Sequence, residues 1–110
     1  MMKMKSTTTY NKWDIVLLPF PFTQKNSSKQ RPALIISPKE FNQEQNVIIL
    51  QISSNKDEGI DSYKIKEWEQ ANLPLVSYIK MKFATIKKEI ILKKIGRLSE
   101  ADIKIFKNYL

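Results

Sequence analysis

The sequence predicts a mainly β domain with short helices (α+β), folded as a strongly bent antiparallel sheet or small barrel with a helix at its C-terminal end. Three observations carry this expectation. The apolar runs are short and rich in branched aliphatic residues, as in Ile15–Phe20, Ala33–Ile36 and Val47–Ile52, which suits strands better than helices. Prolines and polar clusters punctuate the chain, whereas glycine occurs only at positions 59 and 96. Only the end of the chain carries a helix-start signal, Ser99-Glu100-Ala101-Asp102, after which Ile103, Phe106 and Leu110 fall on one helical face.

In chain order, residues 1–11 are expected to be a flexible, basic tail, and residues 12–110 a single domain. Trp13 opens the first strand, either capping the core or offering a ring on which a base stacks. Pro19 and Pro21 should end that strand, because a ring nitrogen cannot donate to a ladder. Residues 24–31 read as a flexible, positive loop, and Pro32 holds Arg31 extended where the second strand begins. A turn or single helical turn is expected over Lys39–Gln45, and the third strand over Val47–Ile52 with a polar exit. Asp57-Glu58-Gly59-Ile60-Asp61 reads as a solvated loop rather than a metal site. A short edge strand is expected at Ser62–Ile65 and a brief helix at Lys66–Ala71. Alternation in Val76–Phe83 sends Ile79, Met81 and Phe83 to the core and shows Lys80 and Lys82 on the other face. Glu89–Ile95 should be a strand or turn segment that Gly96 breaks.

Composition narrows the function. At 42% apolar and 27% charged residues, the chain is expected to fold rather than stay disordered. No apolar run approaches the length of a membrane span, and the basic N-terminus lacks the apolar core of a signal peptide, so a cytoplasmic location is expected. Without cysteine there are no disulfides, thiolate nucleophiles or cysteine-held zinc. The net charge of +8 favours polyanions through phosphate contacts, although a surface merely rich in lysine gives the same count. Arg31 is one of only two arginines among 19 cations, and a guanidinium at a strand mouth suits either a phosphate or a surface ion pair.

Three pieces carry a resemblance: DIVLLPFPFT with KQRPALIIS in the first 37 residues, VIILQISSN at Val47–Asn55, and YIKMKFATI at Tyr78–Ile86. In that order they resemble the MazF/PemK family of toxin–antitoxin ribonucleases, particularly its PemK-like branch. The resemblance implies an SH3-like barrel of the MazF/PemK/CcdB type and a homodimer with RNA crossing a shared groove. It further implies a metal-independent endoribonuclease, active on single-stranded mRNA and neutralised by an acidic antitoxin. Arg31 matches the family's catalytic arginine, and Ser53 stands at its catalytic threonine. Thr85 matches a threonine near the bound strand, whereas Met81 and Ala84 stand where some members carry arginine or an acidic residue. Trp13 occupies a position that is usually glycine.

The available side chains agree with that chemistry. No histidine is present for imidazole acid–base catalysis, and no clustered carboxylates suggest a two-metal site, so no metal or cofactor is expected. What is left is attack by the substrate's own 2′-hydroxyl, with Arg31 gripping the phosphate and Ser53 offering a hydroxyl. Thr23, Lys25, Lys29, Ser54, Lys56, Lys80, Lys82 and Thr85 are the further candidates for RNA contact. Ser54 is an alternative hydroxyl, although strand alternation turns it from Ser53's face. A module of the same fold that binds nucleic acid or gyrase without cutting is the competing expectation.

Overall fold

A computed structural model of the chain describes residues 9–21, 29–56 and 61–110. Six strands account for most of it: β1 (Asp14–Phe20), β2 (Lys29–Ile35), β3 (Asn46–Ser53), β4 (Ser62–Lys64), β5 (Tyr78–Lys87) and β6 (Lys93–Arg97). They pair antiparallel in one sheet ordered β4-β5-β3-β2-β1-β6. A short helix, α1 (Lys39–Asn42), links β2 to β3, and α2 (Glu100–Phe106) follows β6. The mainly β architecture and the C-terminal helix match the expectation. Closure into a barrel does not: among the described residues the sheet is open, with β4 and β6 at opposite edges.

Both faces of the sheet are apolar, because strand alternation sends neighbouring aliphatics opposite ways. One face packs Ile15, Leu34, Leu50, Ile52 and Ile79 against Ile103 and Phe106 of α2 and against Ala71 and Leu73. The other gathers Val16, Leu18, Ala33, Ile35, Val47, Ile49 and Ile86. Tyr10 joins this second cluster at 8% exposure, so folded chain begins inside the segment expected to be tail. Residues 1–8 of that expected tail lie outside the described residues.

Several elements differ from expectation for identifiable reasons. Pro19 does not end β1; it lies in the strand opposite Gln30. Leu17 turns its carbonyl to Leu92, so Pro19, two residues on, turns its ring nitrogen past the start of β6. The loop expected over 24–31 gives up Lys29, Gln30 and Arg31 to β2, while residues 22–28 lie outside the described set. Lys66–Ala71 forms turns rather than a helix and ends at Asn72, whose φ of 64° is left-handed. Gly96 does not break β6 but lies within it: a Cβ there would sit 2.1 Å from the Ala71 carbonyl oxygen. Leu110 lies beyond α2 and is exposed, whereas Ile103 and Phe106 are buried as expected.

Trp13 takes a φ of 82°. That backbone is free for glycine and costly for a bulky residue. The ring offsets the cost by packing edge-on to Phe106, with centroids 6.2 Å apart, so Trp13 caps the core rather than facing a groove.

Candidate functional site

The site lies where β2 begins and β3 ends. The two strands pair at Ala33↔Gln51, Leu34↔Leu50 and Ile35↔Ile49. The β2–β3 ladder ends at Ala33↔Gln51, and strand alternation sends Arg31 and Ser53, each two residues beyond it, to the same face. Arg31 also faces Leu18 across β1, on the face whose core holds Val16, Leu18, Ala33 and Ile49. The candidate site is thus the polar continuation of one core face.

That face ends in a hollow of about 240 Å³ lined by Phe20, Arg31, Gln51, Ser53, Asn55, Lys80 and Lys82. A second hollow, of about 370 Å³, adjoins it and is lined by Lys29, Gln30, Ser54, Pro74, Leu75 and Ser77. Arg31, Pro32, Ile52 and Ser53 line both, so the arginine and serine stand on the rim between them.

The two lysines arrive by an irregularity that sequence periodicity does not reveal. Leu50 pairs with Phe83, but Ile52 pairs with Ile79, so Lys80, Met81 and Lys82 together oppose the single residue Gln51. Such a bulge bows the strand and re-aims its side chains. Lys80 is buried at 3% exposure within the cavity wall, while Lys82 is exposed. The expectation of two solvated lysines and a buried Phe83 is therefore corrected: Phe83 is 59% exposed.

Two contacts orient the central pair. The Arg31 guanidinium carbon lies over the Phe20 ring, 4.7 Å from its centroid. Ser53 Oγ accepts a hydrogen bond from the Asn55 backbone N–H at 3.0 Å. A hydroxyl that accepts from the backbone still has its own proton to donate, so Ser53 on the wall of the hollow keeps a donor for a bound ligand.

Of the other candidates, Lys80 and Lys82 line the first hollow, and Lys29 and Ser54 the second. Thr85 pairs with Ile48 farther along β5, and neither it nor Lys56 lines either hollow. Thr23 and Lys25 lie outside the described residues. Nothing local to Phe20, Gln51, Asn55 or Leu75 singles them out as site residues. The one available signal was register, since the β1–β2 pairing places Phe20 diagonally across from Arg31.

Comparison with curated proteins finds no match. The family model describing PemK-like, MazF-like toxins of type II toxin–antitoxin systems matches residues 11–110, which include every strand, both hollows and α2. The chain belongs to this family of PemK-like, MazF-like toxins.

Proposed function

We propose that this toxin is a metal-independent endoribonuclease that cuts single-stranded mRNA. Membership of a toxin family supports an antitoxin partner. The observation that carries the catalytic reading is the meeting of Arg31 and Ser53 on one rim.

In the reaction, the 2′-oxygen of one nucleotide bonds to its own 3′-phosphorus and the phosphorus–O5′ bond breaks. A 2′,3′-cyclic phosphate and a 5′-hydroxyl result. The proton lost by the 2′-hydroxyl leaves to solvent, and the departing O5′ takes one up. Arg31 offers a fork of N–H donors to the non-bridging oxygens as negative charge builds on them. The Ser53 hydroxyl donates to the same oxygens or towards O5′. Lys82 on one side and Lys29 on the other follow the flanking phosphates. Histidine and cysteine, the usual side chains for imidazole catalysis or thiolate metal ligation, are absent from the sequence.

The toxin acts in this reading as a cytoplasmic homodimer whose basic groove an acidic segment of the antitoxin covers. The +8 charge supports both partners. Purified protein incubated with single-stranded RNA in EDTA, followed by end analysis of the fragments, tests the proposal. Cyclic phosphate ends, lost in Arg31→Ala, are the expected result. Cleavage only with added metal, or undiminished cleavage by Arg31→Ala, would overturn the mechanism. Tight binding of RNA that stays intact, or inhibition of DNA supercoiling, would replace it with the non-cutting alternative.

A further inference from the structure

We infer that Phe20 is a positioning residue for Arg31, its ring holding the guanidinium in the place from which it meets the scissile phosphate. The inference rests on the ribonuclease reading above. Arg31 is exposed, and a long exposed side chain spreads over many rotamers unless something fixes it. Phe20 supplies the fixing surface. It sits at the last position of β1, half-buried in the wall of the hollow, and the guanidinium carbon lies 4.7 Å from its ring centroid.

The strand register makes this contact a property of the sheet rather than of one rotamer. Arg31 is opposite Leu18 and Phe20 is opposite Lys29, so Phe20 and Arg31 are diagonal neighbours on one face. That separation is within reach of an aromatic ring and a long side chain. Leu18 beside them is fully buried and anchors the pair to the core.

The kind of partner matters as much as the contact. A carboxylate would also hold Arg31, but it would neutralise the charge and occupy the N–H fork that a phosphate needs. An aromatic ring holds a cation through its quadrupole and leaves the charge uncompensated. The site thereby has a pre-placed cation still able to bind an anion, and placement before reaction is what lowers a barrier.

The test compares wild type, Phe20→Leu and Phe20→Trp on a single-stranded RNA that the wild type cuts. Phe20→Leu keeps an apolar side chain of similar bulk and removes the ring; Phe20→Trp restores an aromatic face. The expected result is a kcat about 3- to 30-fold lower in Phe20→Leu, from the strength of such contacts, with KM changed less than about twofold. Phe20→Trp should recover most of the loss. Circular dichroism melts identify any variant that fails to fold, and the Arg31 Nε–H proton resonance gives a readout independent of activity. With only two arginines in the chain, that signal is compared with Arg97. Ring current should displace it in the wild type and in Phe20→Trp, and the displacement should vanish in Phe20→Leu.

Equal kcat in wild type and a folded Phe20→Leu would overturn the inference while leaving the ribonuclease reading intact. An Arg31 resonance that does not move on losing the ring would do the same. If the wild type leaves RNA uncut, the ribonuclease reading falls and this role falls with it.

Discussion

Ser53 stands where the family resemblance implies a threonine. Threonine restricts its own rotamer through the γ-methyl, and serine does not. Here the Asn55 amide donates to Ser53 Oγ and supplies an equivalent constraint from outside the residue. Ser53→Thr should therefore keep cleavage within about threefold of wild type, the amide bond already having done most of the ordering. Ser53→Ala should lose about 10²–10³ in kcat, the usual scale for removing one donor to a developing oxyanion. Single-turnover rates on one RNA substrate check both. Arg31 was legible in the sequence because an arginine before proline, at the head of an aliphatic run, is local information. Phe20 was not, because its role comes from a partner eleven positions away that only the hairpin register brings near.

At the level of the elements, the most connected polar group lies far from the candidate site. Asp102 is fully buried at the start of α2. It accepts from the Tyr63 hydroxyl at 2.6 Å, from the backbone N–H of Lys66 at 2.9 Å and from that of Glu67 at 2.8 Å. The sequence indicated the cap, and Ser99 Oγ does accept from the Asp102 N–H at 3.1 Å. It gave no sign that the carboxylate would turn to β4 and the turn after it, since those partners lie more than thirty residues away. Burial first, then the hydrogen bond to Asp102 and its charge, push the Tyr63 phenol well above its ordinary value of 10.0. Burial and then the charge of Asp14 raise Tyr10 in the same direction. A raised folded-state value favours the protonated form in the fold. The stabilisation is therefore complete below about pH 10 and drains away as pH climbs past it. Urea midpoints should be flat between about pH 7 and 9 and fall above about pH 10, with a shallower fall in Tyr63→Phe. Gly96→Ala should destabilise the fold. The Ala71 carbonyl leaves no space for a methyl, so β6 and the turn must part at a cost of about 1–3 kcal/mol. A chemical denaturation midpoint measures it. The sequence marked Gly96 as a breaker because the close approach of another backbone leaves no local trace.

For the whole molecule, the strands and the single C-terminal helix could be read from apolar run lengths and one capping signal. The order of the strands could not, since pairing depends on contacts between distant segments. The bulge at Lys80–Lys82 was hidden for a similar reason: alternation continues through the sequence although the ladder does not. Charge is the property that acts over the full surface. If Lys29, Arg31 and Lys82 each neutralise one phosphate, the logarithm of RNA affinity should fall with the logarithm of salt at a slope of about −2. Lys82→Gln should make that slope shallower by about 0.7, while Lys104→Gln on α2 should leave it unchanged. Binding isotherms on a 2′-O-methylated strand, which cannot be cut, provide the measurement. The Asp102 carboxylate ties α2 to the sheet edge formed by β4 and to the turn after it. Because one carboxylate fastens both, loss of α2 from its place would leave the Tyr63 hydroxyl and the Lys66 and Glu67 amides without their shared acceptor.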